Sequence, residues 1–584
     1  MNINVLGIND GHPSSICMIK NGKVVYSAME ERFDRIKNSV NFPFLSIKNC
    51  LKYTKTKPEE IDLIAFSSKD IDPIDLNELA KRKSDSRLTV IGFSYMSGIL
   101  PKKTVDSLCI IGSRFRSLIK LKRYFSQYKK HFEKLGLGKT KVIFYDHHTV
   151  HSATAYYFNK EKPKKTLIFT CDGEGDGLCA TVSIGNDDDI KRQIAIPFFH
   201  SIGKMYNEVT WYLGLKPWEH EYKVMGLAPY SDEKHAEKTW NFFKNMVKID
   251  EKDKRKFKNN TGKWAHTYGL FLKKNLYKHR FDAIAYSIQR LTEEILTKWV
   301  SNNIEYYGIK DVMLSGGVFM NVKANQRIME LSNLNSLFVV PSCGDESSAI
   351  GAAILGYIDV CRENGIKPDF AGIKDLYLGP DFDEDIDNSI KKLSKTKYKI
   401  EFYDEIEDKV AKIIKNGGIV ARCSGRMEFG ARALGNRSIL ANPSDLKMLR
   451  EINQQIKQRD FWMPFAPVIL RERTSDYIIK NKKVDDEYMI LSFDSTKLAQ
   501  NEISAALHQF DLTCRPQVID KDWNVSYYKI IKSFEELTGI GALLNTSFNL
   551  HGEPIVCTPN DAISTLERSG LKYLVLGNYL ISKK

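Results

Sequence analysis

Two segments of this 584-residue sequence share one pattern, and this repetition constrains the fold more than any other feature. They are residues 4–32 and residues 165–196. Each has an apolar stretch, an Asp/Gly turn, a second stretch, an Asn-Gly or Gly-Asn turn and a third stretch, which predicts three antiparallel strands. A repeated hairpin tip with Asp and Gly predicts a duplicated fold with two facing phosphate loops, because turn N–H groups can line an anion site. Two unrelated β-hairpins are the alternative.

The composition is that of an ordinary globular protein, with 42% apolar and 27% charged residues, and it argues against a disordered or fibrous chain. The length predicts about four domains or two large ones. The sequence has no apolar run of the ~18 residues that a membrane helix needs, and its N-terminus lacks the pattern of a secretory signal. Ten cysteines without a CxxC pair predict reduced, mostly buried thiols in a cytoplasmic protein.

The charge favours an anionic partner. Lys and Arg number 87 and Asp and Glu number 72, which gives a formal net charge of +15. Phosphate, a nucleotide, an acidic polysaccharide or nucleic acid would suit this excess, and a lysine-rich proteome is the alternative explanation. Much of the excess lies in residues 102–140.

The rest of the chain predicts an α/β protein in two halves. Residues 283–309 have the apolar spacing of a long amphipathic helix. A short strand, a Gly pair and another helix follow, which is a common nucleotide-binding order. Residues 362–386 carry Gly, Pro and acids without periodicity, and we place a domain boundary there. Residues 408–426 again predict a helix, a Gly turn and a strand, so both halves are α/β.

A histidine cluster is the first candidate site. His147 and His151 are four residues apart, so on a helix they lie on one face and can share one ion, while His148 points elsewhere. A helix start with an Asp cap and partly exposed imidazoles is the alternative. Two histidines with carboxylates would suit Fe(II), Mn(II) or Zn(II). Asp172, which follows a predicted strand, and Asp345, between a strand and a small-residue helix, are the candidate carboxylates, and Glu346 is a competing choice.

A second candidate lies at the first hairpin tip, where Asp10 and His12 are two residues apart. An Asp and a His beside a phosphate loop could deprotonate a hydroxyl nucleophile. A turn in which Asp10 bonds its own backbone is the alternative.

Arginines among Gly and Asn form the third candidate, since paired N–H donors clamp phosphate oxygens. A solvated basic face is the alternative. The spacing of Arg426 and Arg432 around a Gly favours a loop lining a cleft. The residues in this group are Arg426, Arg432, Arg437, Lys457, Arg459, Asn545, Ser547, Asn549 and Glu553.

These motifs, in this order, resemble the NodU/CmcH family of O-carbamoyltransferases. The matching stretches include GINDGHPSS, EERFDRIKN, DHHTVHSATA, CDGEGDG, EYKVMGLAPY, LSGGVFMNVKAN, PSCGDESSAIGAA, GRMEFGARALGNRSIL, FWMPFAP and NTSFNLHGEPIV. The resemblance implies a duplicated actin-like ATPase (ASKHA-type) domain over residues 1–370 that transfers the carbamoyl group. It also implies a YrdC-like α/β domain over residues 371–584 that forms carbamoyl adenylate. Residues 70–140 and 232–280 match no motif.

The resemblance also implies roles for particular residues. The metal ligands would be His147, His151, Asp172 and Asp345, and the transfer step would use Asp10 and His12. Nucleotide, carbamoyl phosphate and adenylate contacts would fall on Gly316, Gly317, Asn321, Lys223, Arg426, Arg432, Lys457, Arg459, Asn545 and Ser547. Lys223 is expected to contact the nucleotide or the acceptor.

The implied activity is an ATP-dependent O-carbamoyltransferase with carbamoyl phosphate as donor. The implied cofactors are a divalent metal, usually iron in the family, with Mn or Zn as alternatives, and Mg with ATP. The partner is a small-molecule or polymer-bound hydroxyl acceptor, without a membrane, and a homodimer is one open option for the assembly. An actin-fold kinase and a carbamoyltransferase acting on a hydroxymethylated base or tRNA are the other open interpretations.

Overall fold

The structure is a computed structural model, and it describes residues 2–68, 128–159, 162–187, 189–264, 267–457, 459–482 and 484–584. Most of the basic segment 102–140 therefore lies outside the described residues. The chain forms two compact units. Unit 1 comprises Met1–Glu30 with Asn38–Ile373, and unit 2 comprises Glu31–Lys37 with Lys374–Lys584.

Unit 1 is built on two five-stranded sheets, and a two-stranded ribbon accompanies them. Its strands are β1 Asn4–Asn9, β2 Ser15–Lys20, β3 Lys23–Met29, β4 Leu63–Phe66, β5 Lys141–Phe144, β6 Lys165–Gly175, β7 Leu178–Asn186, β8 Asp189–Pro197, β9 Val247–Ile249, β10 Phe257–Asn259, β11 Asp311–Ser315 and β12 Ser336–Val339.

The two sheets have the same topology. The first has the order β3-β2-β1-β4-β5, and the second has the order β8-β7-β6-β11-β12. In each sheet the first three strands are antiparallel, and the last two strands pair in parallel. The repeated hairpins are thus the first three strands of two equivalent sheets. The α/β class and the duplication within the first region are confirmed.

The helices were predicted from apolar spacing, and several match closely. The predicted helix at 283–309 spans residues 281–307, and the predicted helix, turn and strand at 408–426 are also present. The helices in chain order are α1 Glu31–Asp34, α2 Phe44–Tyr53, α3 His147–Phe158, α4 Ile202–Tyr212, α5 Glu221–Leu227, α6 Glu233–Phe243, α7 Tyr268–Asn275, α8 Phe281–Tyr307, α9 Val322–Met329, α10 Ser348–Glu363, α11 Ile386–Ile390, α12 Glu407–Lys415, α13 Lys447–Ile452, α14 Thr474–Tyr477, α15 Lys497–Glu502, α16 Val525–Thr538 and α17 Pro559–Arg568.

Helices α3 and α10 follow equivalent strands, β5 and β12, and they pack against each other. Gly351 permits this approach, because a Cβ at this position would lie 2.2 Å from the Val150 carbonyl oxygen and 2.4 Å from Thr154 Oγ1. The contact matters for the site, since α3 begins with the histidine cluster and α10 follows Asp345.

Unit 2 has one eight-stranded sheet of order β13-β20-β19-β14-β15-β18-β16-β17. Helices α12 and α16 contribute to a buried apolar cluster that includes Val410 and Phe534, and α13 and α17 contribute to a second cluster that includes Ile452 and Leu566. The strands of this sheet are β13 Tyr398–Phe402, β14 Val420–Cys423, β15 Arg437–Ala441, β16 Ala466–Leu470, β17 Gln517–Ile519, β18 Ala542–Ser547, β19 Tyr573–Leu576 and β20 Tyr579–Lys583.

A short segment from the N-terminal part of the chain completes unit 2. Arg32, which is 2% exposed, donates to the Gly430 carbonyl at 2.6 Å. Arg35 donates to the Ile555 carbonyl at 2.7 Å and to the Pro554 carbonyl at 3.0 Å. Residues 374–584 alone therefore lack part of this unit.

No helix among the described residues combines the length and the apolar character needed to span a membrane. The nine cysteines in the described part of the chain are free thiols, and all are buried.

Candidate functional site

Helix α3 presents the histidine cluster at its first turns. Asp146 caps the helix by accepting from the Thr149 N–H at 2.9 Å, so the expected cap and the expected helix are both present. His147 and His151 lie on one face, with ring centroids 4.7 Å apart. Both are buried, at 4% and 0% exposure, so the alternative of partly exposed imidazoles is wrong.

Two carboxylates converge on this pair of histidines. Asp345 Oδ1 lies 3.2 Å from His151 Nε2 and 3.5 Å from His147 Nε2. Asp172 Oδ2 lies 3.4 Å from His151 Nε2 and 4.0 Å from His147 Nε2. Asp172 belongs to β6 itself, at an irregularity between Cys171 and Gly175, and does not follow the strand as we expected. One ligand atom from each of the four residues lies within 4.8 Å of all the others.

The two histidines and the two carboxylates interact electrostatically. Burial lowers the pKa of His147, but Asp345 and Asp172 outweigh it and raise the pKa to about 10. The same two carboxylates raise the pKa of His151 against its burial. Burial raises the pKa of Asp172, but the two histidines hold it well below its usual value. The carboxylates therefore stabilise the charged forms of both histidines, and the histidines stabilise the charged form of Asp172.

The four residues fit a divalent transition metal. Two imidazole nitrogens and two carboxylate oxygens suit iron, manganese or zinc. His147 Nε2 is buried and makes no hydrogen bond, which a ligand bond to a metal would remedy. His151 Nδ1 lies 3.1 Å from Ser315 Oγ, a contact that orients the ring as outer partners of metal-bound histidines do.

The neighbouring residues have other partners. His148 points away from the group, as expected, with Nδ1 2.8 Å from Thr170 Oγ1. Glu346 is buried and accepts from Ser342 Oγ, whereas Asp345 faces the histidines. Asp345 is thus the member of this pair that joins the group.

Asp10 and His12 follow β1, in the position that the hairpin predicts. Asp10 is 8% exposed, and Tyr128 Oη donates to its Oδ2 at 2.5 Å. Burial raises the pKa of Asp10. Burial also lowers the pKa of His12, although Asp345 and Glu219 act in the opposite direction. His12 is therefore close enough to Asp345 to interact with the histidine–carboxylate group.

Gly316 and Gly317 lie beside the same group. Gly316 has a φ of +103°, and a Cβ there would lie 2.4 Å from the Cys171 carbonyl oxygen, so the turn requires glycine. The Gly317 N–H donates to Asp172 Oδ2 at 2.8 Å.

Two other predicted contact residues, Asn321 and Lys223, lie on helices of unit 1 or at their ends. Asn321 caps α9 through Ala324 and also exchanges hydrogen bonds with Gln289. Lys223 is 5% exposed on α5.

In unit 2, Lys457 ends a π-helical turn, Asn453–Lys457, and its ammonium is surrounded by neutral oxygens. It donates to the Ser547 carbonyl, to Ser547 Oγ at 3.2 Å and to Asn549 Oδ1 at 2.6 Å. Burial, with Arg459 and Lys37, holds the pKa of Lys457 well below its usual value.

Burial and two arginines, Arg432 and Arg459, lower the pKa of a third arginine, Arg515, well below its usual value. Arg459 also donates to Thr546 Oγ1 at 3.3 Å. The charged groups with the strongest named effects on Arg515 and Lys457 are all cations, which is the electrostatic character of an anion site. We call Lys37, Arg432, Lys457, Arg459 and Arg515 the cationic cluster.

Three of the other predicted residues of unit 2, Arg426, Asn545 and Ser547, make hydrogen bonds within this unit. Arg426 donates to the carbonyls of Gly379 at 2.9 Å and Leu378 at 2.8 Å, so its guanidinium holds a backbone loop. Asn545 Nδ2 donates to the Ala433 carbonyl at 3.0 Å, and its buried Oδ1 makes no hydrogen bond. Ser547 donates to Asn549 Oδ1 at 2.7 Å.

The loop that carries Arg432 is held by a buried carboxylate. Glu428 Oε1 accepts from the backbone N–H groups of Leu434, Asn436 and Arg437 at 2.7–3.0 Å. Such an arrangement fixes an irregular loop without secondary structure.

Sequence reasoning missed Arg515 and Lys37. Arg515 precedes β17 in a stretch without a recognisable motif, so only its neighbours in space reveal it. Lys37 lies in the quoted stretch EERFDRIKN, and its proximity to Lys457 shows why that stretch matters.

Comparisons with known proteins identify the family. The family models described as "Carbamoyltransferase N-terminus" and "Carbamoyltransferase C-terminus" match residues 4–354 and 411–583. The chain belongs to the carbamoyltransferase family.

The similar proteins include uncharacterised proteins and proteins whose names state a function. An uncharacterised protein from Methanocaldococcus jannaschii is 32% identical over 99% of both chains. Nodulation protein NolNO from Sinorhizobium fredii is 29% identical over 98% of this chain and 79% of its own. The 3'-hydroxymethylcephem-O-carbamoyltransferase of Amycolatopsis lactamdurans is 28% identical over 45% of this chain and 47% of its own.

Among solved structures, full-length HypF in its phosphate- and nucleotide-bound form is 11% identical. It matches 62% of this chain and 47% of its own, with a TM-score of 0.36.

Proposed function

We propose that this family member is an ATP-dependent O-carbamoyltransferase that uses carbamoyl phosphate and a hydroxyl acceptor. Family membership supports carbamoyl transfer. The name of one relative, a 3'-hydroxymethylcephem-O-carbamoyltransferase, supports a hydroxyl as the acceptor. The observation that carries the two-step mechanism is the cationic cluster in unit 2.

The first step belongs to unit 2, which we propose to be the YrdC-like part of the enzyme. Carbamoyl phosphate and water give carbamate and inorganic phosphate. A carbamate oxygen then bonds to the α-phosphorus of ATP, and pyrophosphate leaves. Lys457, Arg459 and Arg515 neutralise phosphate charge in both reactions, because guanidinium and ammonium donors are strong partners for phosphate in a water-poor site.

The second step belongs to unit 1, the actin-like part, and the proposed domain assignment is residues 1–370 for transfer and 371–584 for adenylate formation. The acceptor oxygen attacks the carbamoyl carbon, and the bond from this carbon to the adenylate oxygen breaks, which releases AMP. His12 takes the acceptor proton, since burial lowers its pKa and keeps it neutral near pH 7. Asp10 lies at the same hairpin tip and supports this loop through Tyr128.

We also propose that His147, His151, Asp172 and Asp345 hold a divalent metal, with iron as the first choice. A bound ion would supply positive charge near the nucleotide phosphates. Gly316, Gly317 and Asn321 follow β11 and are the proposed nucleotide contacts, with Lys223 as a further contact to nucleotide or acceptor.

The test is pyrophosphate release from ATP, measured with and without carbamoyl phosphate and without an acceptor. Release that depends on carbamoyl phosphate supports adenylate formation. The His12→Ala variant should keep this release and lose transfer to an acceptor. A phosphorylated small molecule, without pyrophosphate release, would favour the kinase interpretation instead.

A further inference from the structure

Trp218, in the loop between α4 and α5, has an unusual backbone. Its φ is +70°, a left-handed conformation that is costly for a bulky residue. The surrounding groups hold it there, since the Trp218 N–H donates to Glu221 Oε1 at 2.7 Å, and Asn207 donates to the same oxygen at 2.9 Å. Glu221 therefore holds the Trp218 backbone directly, and Asn207 fixes Glu221. Strained residues that their surroundings hold in place cluster at binding and catalytic sites.

The indole of Trp218 lies beside His12. The two ring centroids are 5.8 Å apart in an edge-to-face arrangement, with an interplanar angle of 81°. Lys204 Nζ lies 4.2 Å from the indole centroid, a cation–π contact. Even so, 44% of Trp218 is exposed. The ring is thus fixed in position and still open to a second molecule.

Charged side chains surround this aromatic surface. Lys204 Nζ lies 3.5 Å from Glu174 Oε2. Lys204 belongs to α4, and Glu174 belongs to β6, the strand that also contains Asp172. Lys216 pairs with Glu219, and both act on the pKa of His12. An exposed tryptophan next to the proposed base is therefore bordered by hydrogen-bond donors and acceptors of both signs.

We propose that Trp218 positions the acceptor and that the acceptor is a saccharide, an inference that rests on the proposed function. The C–H groups on one face of a sugar ring pack well on an indole, which has a negative face. The hydroxyls at the ring edge need donors and acceptors, which Lys204 and Glu174 supply. An apolar alcohol would instead remove these charges from water without compensation.

The bonds that form and break in the proposed transfer step are as follows. The saccharide hydroxyl loses its proton to a ring nitrogen of His12, and its oxygen forms the new bond to the carbamoyl carbon. The bond between this carbon and the adenylate oxygen breaks, and AMP departs with the electron pair. Trp218 makes and breaks no bond, so it is a positioning residue.

The test uses the full chain with ATP and carbamoyl phosphate. The acceptors are three saccharides (methyl β-D-glucopyranoside, methyl α-D-mannopyranoside and cellobiose), the acyclic polyol sorbitol and the apolar ring alcohol cyclohexylmethanol. Mass spectrometry measures carbamoylated product, and pyrophosphate release without acceptor reports the first step separately. We expect at least one saccharide to exceed sorbitol and cyclohexylmethanol in kcat/KM by about tenfold or more.

Three variants separate positioning from folding. Trp218→Ala should raise the KM for the saccharide by about tenfold or more and leave acceptor-free pyrophosphate release unchanged, whereas Trp218→Phe should restore part of the loss. Trp211→Ala is the matched control, because Trp211 is 51% exposed and lies against Gly269 on α7.

Each outcome decides the question. A saccharide KM that Trp218→Ala leaves unchanged, or that Trp211→Ala raises equally, would overturn the proposal. Adenylate formation without transfer to any of the three saccharides would also overturn it. Absence of carbamoyl-phosphate-dependent pyrophosphate release from the unaltered protein would contradict the proposed function itself.

Discussion

Replacement of Arg515 by methionine tests the anion site without relying on a known acceptor. Burial beside Arg432 and Arg459 holds the pKa of Arg515 well below its usual value, so keeping it charged costs folding free energy. Arg515→Met keeps much of the apolar stem and removes the charge. We therefore expect a variant that folds at least as well as the parent protein and binds phosphate less well.

The magnitudes follow from the same charges. A hydrogen bond to a charged group contributes about 1.5–3 kcal/mol, so loss of one such contact should lower kcat/KM for carbamoyl phosphate by about 10- to 150-fold. Two like charges about 6 Å apart repel by about 3 kcal/mol at an effective dielectric constant of about 20. Because Arg515 keeps some contact with solvent, we expect unfolding to become harder by no more than about 2 kcal/mol.

Arg471 is the matched control, since it is an arginine of the same unit with anionic partners. It donates to Asp486 Oδ1 at 2.6 Å and to Asp520 Oδ2 at 3.2 Å, and it also pairs with Glu487. The Asp486 side chain is 0% exposed. Arg471→Met should therefore destabilise the fold by about 2–3 kcal/mol, because it weakens the compensation of a buried carboxylate, and should spare phosphate binding.

Two assays make the comparison. Pyrophosphate release at varied carbamoyl phosphate gives kcat/KM. Thermal unfolding with and without inorganic phosphate gives the stabilisation by bound anion, which mass action predicts to be smaller in Arg515→Met. The reasoning fails if Arg515→Met lowers the unfolding midpoint as much as Arg471→Met does while phosphate still stabilises it fully.

Three further predictions concern unit 1. His151→Ala should lose bound metal by elemental analysis and keep acceptor-free pyrophosphate release; unchanged metal content would contradict the ligand assignment. Burial raises the pKa of Glu208 from 4.5 to about 7, so its favourable effect on folding is complete below about pH 4.5 and is lost as the pH rises through about 7. Calorimetry should therefore find Glu208→Gln more stable than the parent by about 1–3 kcal/mol at pH 8 but not at pH 4.5, and an equal difference at both would refute this cause. Gly351→Ala should force α3 from α10, cost about 1–3 kcal/mol and reduce metal content, and unaltered values of both would contradict the close approach.

Local sequence patterns predicted most of the fold. The strand–turn–strand pattern of residues 4–32 and 165–196 depends on alternation and turn chemistry, which neighbouring residues determine, and both hairpins are present. The spacing of His147 and His151 likewise placed both on one helical face. The convergence of Asp172 and Asp345 on them is a tertiary fact. Their positions beside predicted strands made both residues candidates, and the family resemblance favoured Asp345 over Glu346.

The composition of the cationic cluster could not be predicted from the sequence. Lys37 and Arg515 are nearly 480 positions apart in the sequence, yet both belong to the cationic cluster in unit 2. No periodicity links such positions, because their proximity follows from the packing of a short N-terminal segment into a later unit. Arg426 stays a predicted phosphate contact, and in the structure its guanidinium donates to the carbonyls of Leu378 and Gly379.

The duplication also relates the two sites that we propose in unit 1. Asp10 and Asp172 each precede a glycine near the end of the first strand of their repeat, so they occupy equivalent places. Asp172 meets the histidines at the start of α3, whereas Asp10 meets Tyr128 and has His12 two residues later. A duplicated backbone thus places equivalent carboxylates at the first strand of each repeat, and their different partners separate a proposed metal ligand from a proposed proton-transfer loop.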